Sequence, residues 1–182
     1  MHAAILFPLA GVEGSKVELK PFREADITDN YLAWLNDADV VRYSNQRFRV
    51  HDRSSSLRYL HSFAGTDNLF LSVIRRAEGQ VIGTMTAYIA KPHRTADVGV
   101  MIGEKSVWGR GYGQDAWNTL LEWLLHGVQL RKITAGTLAC NFSMIKLMER
   151  SGMQCEAVRK QQEIIEGHAE DVLYFARFSE LT

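Results

Sequence analysis

The spacing of hydrophobic positions changes several times along the chain, between the two-residue alternation of strands and the wider period of helices. Alternation predicts seven strands, at residues 17–21, 69–76, 80–89, 96–102, 131–139, 153–165 and 171–178. Helical spacing predicts four helices, at residues 27–38, 53–63, 113–128 and 141–152. The central strand–helix–strand segment predicts a crossover and a parallel pair, whereas the flanking hairpins predict antiparallel pairs. We therefore expect an α/β fold, with a mixed sheet that carries packed helices.

The length of 182 residues suits one domain with a substantial core. We expect residues 1–15 to form an N-terminal arm and residues 16–182 to form the single domain. Cys140 and Cys155 are the two cysteines, and they fit neither a metal-binding spacing nor a disulfide framework. The sequence therefore predicts a cytoplasmic protein without a bound metal.

Charge excludes some classes of partner. The 21 basic and 21 acidic residues balance, so no overall field attracts nucleic acid or a membrane surface. No apolar run is long enough to span a bilayer. A nucleic-acid-binding domain is accordingly the weaker hypothesis for the basic segment around Arg47.

Three glycines, Gly109, Gly111 and Gly113, alternate between a predicted strand and a predicted helix. Glycine lets backbone N–H groups approach a ligand closely, and a helix start adds unpaired donors and a positive dipole end. Such a loop is typical of phosphate sites, and Arg110 adds positive charge. A plain connector is the alternative, since the spacing matches neither of the two familiar nucleotide-binding motifs.

The stretch D-V-G-V-M-I-G-E-K-S-V-W-G-R-G-Y-G-Q-D-A, residues 97–116, is similar to motif A of the GNAT superfamily. Trp108 stands where that motif usually has Gln or Arg, as in the RimJ/RimL-type branch. Residues 141–153 resemble a second GNAT segment, and V-E-L-K-P-F-R-E-A-D, from Val17, resembles the branch's first strand. The resemblance therefore extends over nearly the whole chain.

The resemblance implies a GNAT fold, with a mostly antiparallel sheet of about seven strands, a splayed central parallel pair and about four helices. It also implies transfer of an acetyl group from acetyl-CoA to a primary amine by direct attack on the thioester. The implied acceptor is a protein N-terminus or a small amine, and a nucleotide-linked amino sugar is an alternative. A non-catalytic acyl-CoA-binding or regulatory module is the alternative of another class. Related enzymes are monomers or homodimers.

The implied cofactor site has three parts. Backbone N–H groups of the Gly-rich loop bind the CoA pyrophosphate, the preceding strand end pairs with the pantetheine arm, and an asparagine contacts that arm. The matching residues are Met101, Ile102, Gly103, Trp108, Gly109, Arg110, Gly111, Tyr112, Gly113 and Asn141.

The catalytic and acceptor residues follow less directly. Asp97 matches a position that is often carboxylic in the family, and it is a candidate base acting through water. A surface aspartate at a strand end is the alternative. The tyrosine that serves as general acid in the family is replaced by Met148. Arg47 and His51 lie in the basic segment predicted to cover the acceptor cleft, where a solvated loop is the alternative.

Overall fold

The computed structural model describes residues 7–180, which form eight strands and five α-helices. The strands are β1 (Val12–Glu13), β2 (Val17–Pro21), β3 (Leu69–Arg75), β4 (Gln80–Ala90), β5 (Thr95–Ile102), β6 (Lys132–Leu138), β7 (Gln154–Ile165) and β8 (His168–Phe178). The helices are α1 (Asp29–Leu35), α2 (Ala38–Val41), α3 (Arg53–His61), α4 (Tyr112–Glu122) and α5 (Phe142–Arg150).

One sheet contains all eight described strands, in the order β1-β2-β3-β4-β5-β6-β8-β7. Neighbouring strands are antiparallel, except that β5 and β6 run parallel. The crossover between β5 and β6 contains the Gly-rich loop and α4. This arrangement confirms the predicted mixed sheet with its central parallel pair.

The strand beyond the predicted seven is β1, which lies within the segment assigned to an N-terminal arm. Val12 pairs with Leu19, and the ring of Phe7 packs edge-on against Trp123 at a centroid distance of 4.7 Å. Val12 and Glu13 thus form the edge of the sheet, while residues 1–6 of the predicted arm lie outside the described residues. Two residues are too few for alternation to indicate a strand.

The core forms on both faces of the sheet, and β3 shows why. Leu71 and Val73 pack into the cluster that contains the buried face of α4. Phe70, which precedes Leu71, packs with α1 and α3 on the opposite face. Successive side chains of a strand point to opposite faces, so a strand that is apolar throughout must be covered on both sides.

The first predicted helix is interrupted. The sequence favours Asp26 as its cap, because that residue stands just before the first apolar position of the pattern, but the cap is Thr28, whose hydroxyl accepts a hydrogen bond from the N–H of Tyr31. Asp26 instead ends a short 3₁₀ turn and accepts from the N–H of Arg23. Asp37 then caps α2, so a helix expected to run over residues 27–38 becomes two short ones.

Asp115 fastens the start of α4 to the sheet. Its carboxylate accepts from the backbone N–H groups of Ser15, Lys16 and Val17 and from the Ser15 hydroxyl, at 2.7–3.1 Å. Burial acts to raise the pKa of Asp115, but these hydrogen bonds favour the charged form and hold the pKa below its usual value. The loop that precedes α4 is thereby fixed against β2.

We expect Asp115→Asn to lower the free energy of unfolding by about 2–3 kcal/mol at pH 7, because the hydrogen bonds are made to a charged group. Hydrogen bonding lowers the pKa of Asp115 in the folded state. This contribution to stability is therefore present above the unfolded pKa of about 3.9 and is lost as pH falls through the folded pKa. Urea unfolding of both proteins at pH 7 and at about pH 3 measures this. Ser15→Ala, which removes one of the four bonds, serves as the smaller comparison. An equal difference at both pH values would contradict the prediction.

Candidate active site

The parallel strands β5 and β6 separate after a short paired region. They pair through Thr95 and Lys132, Ala96 and Ile133, and Asp97 and Thr134, and no further along either strand. Beyond this point β5 continues to Ile102, and β6 pairs with β8 alone. The predicted splayed pair is confirmed, and it leaves one edge of β5 open.

Backbone groups of alternate β5 residues face the gap. The N–H of Gly103 donates to Ile82 of β4, and the carbonyl of Arg94 accepts from Arg131 next to β6. Because the direction alternates along a strand, Val98, Val100 and Ile102 turn their N–H and C=O groups toward the gap. Of the three positions implied for pantetheine pairing, only Ile102 therefore presents its backbone there.

Trp108 closes the far end of this open edge. Its indole Nε1 donates to the carbonyl oxygen of Ile102 at 2.8 Å. The side chain remains 43% exposed and lines the cavity described next. The residue that departs from the usual motif thus satisfies a backbone acceptor at the strand end.

A cavity of about 850 Å³ extends from the gap in both directions. One end, here called the acceptor end, is walled by α1, α3, residues 39–51 and the centre of the sheet. The other end is bounded by the Gly-rich loop, α4 and α5. The residues singled out from the sequence that line it are His51, Met101, Ile102, Trp108, Gly109, Gly111, Tyr112, Gly113 and Asn141. Those outside its lining are Arg47, Asp97, Gly103 and Arg110.

The Gly-rich loop presents free backbone donors at the start of α4. Gly109 and Gly111 have φ values of 72° and 82°, which glycine adopts without strain. The N–H groups of Gly109, Gly111, Tyr112 and Gly113 have no hydrogen-bond partner among the described residues. The N–H of Arg110 differs, since it donates to the Val107 carbonyl at 3.3 Å.

Positive charge surrounds these donors. Lys16 Nζ donates to the carbonyl of Arg110 at 2.8 Å and lies 5.5 Å from the centre of the Tyr112 ring. Arg75 Nε donates to the Tyr112 hydroxyl at 3.1 Å, but it also pairs with Glu78 Oε2 at 2.6 Å, so among the described residues Lys16 supplies the unpaired charge at this place. Lys16 was not singled out from the sequence, because nothing local links it to a loop 94 positions away. Free N–H groups, a helix start and nearby cations together favour a phosphate ligand.

Gly103 has a packing role. A Cβ atom at this position would lie 2.1 Å from the Trp34 ring, so a larger residue would push α1 away from the end of β5. Gly103 does not line the cavity, but its close approach brings α1 against the strand whose edge is open. The acceptor end of the cavity depends on that approach.

Asn141 combines two roles. Its Oδ1 accepts from the N–H of Met144 at 3.3 Å and caps α5, while its Nδ2 donates to the Thr137 hydroxyl at 3.0 Å. It also lines the cavity, beside the gap where β6 ends. The helix-cap and the site interpretations of this residue are therefore compatible.

The arginines of residues 42–49 have different environments. Arg47 Nη2 donates to the Ile164 carbonyl at 3.1 Å and lies 3.5 Å from Glu163, which turns it toward β7 and a second cavity of about 530 Å³. Arg42 pairs with Glu166 at 2.8 Å. Arg49 lines both the main and the second cavity, and its guanidinium makes no hydrogen bond or ion pair with another described side chain.

His51 lines the acceptor end of the main cavity, as expected. Its N–H donates to Asn36 Oδ1 at 2.9 Å, and Asn36 Nδ2 donates back to the His51 carbonyl at 2.8 Å. These two hydrogen bonds to Asn36 hold residues 49–51 against α1. The imidazole Nε2 lies 3.3 Å from the Gln46 carbonyl.

Asp97 occupies the last paired position before the strands separate. Desolvation raises its pKa although part of the residue stays exposed, and the hydrogen bond from Thr134 Oγ1 to Oδ2, at 2.9 Å, offsets part of that rise. A carboxylate with a raised pKa is a stronger base than an ordinary aspartate.

The last helix, α5, carries no tyrosine at the position of the family's general acid. Met148, at that helix position, is fully buried in the core. Tyr31 and Tyr59 line the acceptor end, where burial raises the pKa of Tyr31 to about 12 and also raises the pKa of Tyr59. The Tyr59 hydroxyl lies 2.8 Å from the Tyr88 hydroxyl. Only the fold shows that these two tyrosines face a cavity.

Among residues 7–180, no cluster of three or more His, Cys, Asp or Glu side chains is arranged to hold a metal ion. No described helix is long and apolar enough to cross a membrane.

Comparison with known proteins gives the site its context. The profile of the Acetyltransferase (GNAT) domain matches residues 16–154. An uncharacterized N-acetyltransferase p20 of Bacillus licheniformis is 28% identical over 167 residues, which cover 88% of this chain and 89% of that protein.

Two solved structures share the fold. Spermidine N-acetyltransferase of Vibrio cholerae, in complex with CoA and spermine, has a TM-score of 0.82 at 18% identity. The match covers 91% of this chain and 96% of that one. The ribosomal L7/L12 α-N-protein acetyltransferase RimL, in complex with coenzyme A, has a TM-score of 0.79 at 16% identity over 97% and 99%. With its domain profile, its sheet and its splayed strands, this chain belongs to the GNAT family of N-acetyltransferases.

Proposed function

We propose that the protein transfers the acetyl group of acetyl-CoA to a primary amine by direct attack of the amine nitrogen on the thioester. The observation that carries this proposal is the continuity of the open β5 edge with four free N–H groups at the start of α4. A strand edge suits an amide-containing arm, and a helix start suits phosphate.

The groups of the Gly-rich loop and of the open β5 edge match the successive parts of acetyl-CoA. The N–H groups of Gly109, Gly111, Tyr112 and Gly113 bind the pyrophosphate, and Lys16 and Arg110 supply positive charge beside them. Val98 and Val100 offer strand-like pairing to the pantetheine arm. Trp108 holds the Ile102 carbonyl, so pairing with the arm ends before that residue.

The reaction forms a nitrogen–carbon bond and breaks the carbon–sulfur bond, and both reactants must be held in line. The attacking amine loses a proton, and Asp97 accepts it through a water molecule, since its carboxylate lies outside the cavity lining. CoA leaves as a thiolate and takes a proton from water, since Met148 replaces the tyrosine of related enzymes. Cys140 has no role as a nucleophile, and burial raises the pKa of its thiol.

The acceptor class is a primary amine, either a small molecule or a protein N-terminus. Of the two structural neighbours, one acts on spermidine, a small amine, and the other acts on a ribosomal protein. A nucleotide-linked amino sugar is the alternative acceptor. Free Cys140 and Cys155 are consistent with a cytoplasmic location, where acetyl-CoA is available.

Replacement of Gly111 by Glu tests the donor site. The new carboxylate stands beside the free N–H groups and imposes a side chain at φ 82°, so it repels and obstructs a pyrophosphate. We expect calorimetry to show acetyl-CoA binding to the wild-type protein and a loss of at least about 100-fold in affinity for the variant, the combined effect of charge and obstruction.

Gly65→Glu is the matched control, because Gly65 has a φ of 72°, lies in an exposed turn and does not line the cavity. It introduces the same charge and comparable backbone strain away from the site. Absence of acetyl-CoA binding by the folded wild type would refute the proposed donor. Binding without turnover of any amine would favour the non-catalytic alternative.

Replacement of Asp97 by Asn tests the proposed base. The raised pKa of Asp97 places the acidic limb of the kcat/KM profile above the ordinary aspartate value of about 3.9. We expect the variant to bind acetyl-CoA normally, to lose roughly 10²-fold or more in kcat and to lose that acidic limb. Thr134→Val, which removes the hydrogen bond to Oδ2, should move the limb to higher pH. An unchanged rate and profile in Asp97→Asn would show that Asp97 is a surface residue.

A further inference from the structure

The acceptor end of the main cavity contains a buried hydroxyl without a partner. Ser56 on α3 is 3% exposed and lines the cavity, and its Oγ has no hydrogen-bond partner among the described residues. The nearby carbonyl of Asp52 already accepts from Ser55 Oγ and from the Ser56 N–H. Buried hydroxyls are nearly always hydrogen-bonded, so this one indicates a polar ligand.

The charges at this end favour an anion. Asp39 is the one carboxylate in the described lining of the cavity, and Lys105 Nζ lies 3.0 Å from it and 2.6 Å from Asp37. Arg49, an exposed residue that lines both this end and the second cavity, has no ion-pair partner among the described residues, whereas Arg42 and Arg47 are paired with glutamates of the β7–β8 hairpin. A polycationic amine finds no free carboxylate here.

We propose that the acceptor is a small amine that also carries a carboxylate or phosphate group, with Arg49 binding that group and Ser56 bonding a polar group of the acceptor. Guanidinium pairs with carboxylate or phosphate through two parallel hydrogen bonds, which gives both strength and orientation. The acceptor is small because residues 42–51 are fastened over this end by Asn36, Glu163 and Glu166. This inference rests on the proposed function, since it describes the amine that reacts with acetyl-CoA.

Matched amines separate the anionic group from the rest of the acceptor. Glucosamine 6-phosphate is compared with glucosamine, tyrosine with tyramine, and spermidine serves as the polycationic probe. We expect the anionic member of at least one pair to exceed its neutral partner and spermidine by about tenfold or more in kcat/KM, the size of one charged hydrogen bond. The phosphate and carboxylate pairs show which anion Arg49 takes.

Two variants assign the residues. Arg49→Gln should lower kcat/KM for the anionic amines by about tenfold more than for their neutral partners, while Arg58→Gln, an exposed arginine outside the cavity lining, should not alter that preference. Ser56→Ala should lower kcat/KM for the preferred amine by about five- to tenfold without lowering the Tm, because the hydroxyl has no hydrogen-bond partner among the described residues. A drop in Tm for Ser56→Ala, beyond that of the exposed Ser54→Ala, would show a structural role and contradict the inference.

The outcomes for the inference and for the proposed function differ. Acetyl-CoA binding with a preference for spermidine or for the neutral amines would overturn the inference and leave the proposed function intact. Acetyl-CoA binding with no anionic amine bound or acetylated would overturn it as well. Failure to bind acetyl-CoA would refute the proposed function, and calorimetry of the anionic amines against wild type and Arg49→Gln would then test the inference by itself.

Discussion

Backbone N–H and C=O groups in a sheet need partners, and the departure of β5 from β6 after Asp97 removes them from Val98, Val100 and Ile102. The rest of the structure is arranged around this gap. Trp108 satisfies the last carbonyl, and the other two residues keep an open edge. The crossover helix begins where that edge ends, so unpaired strand groups and unpaired helix groups face one cavity. The proposed donor site thus consists mainly of backbone groups rather than of side chains.

Hydrogen bonds and packing contacts between separate segments of the chain, here called fastenings, set the shape of that cavity. Asp115 and Lys16 fix the Gly-rich loop to the start of β2, and Gly103 lets Trp34 press against the end of β5. At the acceptor end, Asn36 clasps His51 through two hydrogen bonds. Each fastening joins parts of the chain that are distant in sequence, and each restrains a segment that has little core of its own.

The sequence predicts what depends on local spacing and misses what depends on distant contacts. The bounds of β2 and the start of α3 follow from periodicity, and an asparagine just before an apolar helix predicts the cap that Asn141 provides for α5. Arg47 was expected over the acceptor cleft, but Glu163 draws its side chain toward β7 and out of the cavity lining. The orphaned hydroxyl of Ser56 had no signal, since burial and partners are decided by the fold.

Two ion pairs join residues 42–47 to the β7–β8 hairpin, and they differ in their exposure to solvent. Arg42 and Glu166 are 51% and 66% exposed, so dissolved salt screens them strongly, whereas Arg47 and Glu163 are 15% and 29% exposed and are screened much less. At rising ionic strength the attraction between Arg42 and Glu166 therefore weakens before that between Arg47 and Glu163. The hold of the β7–β8 hairpin on residues 42–47 thus varies with the salt content of the surroundings.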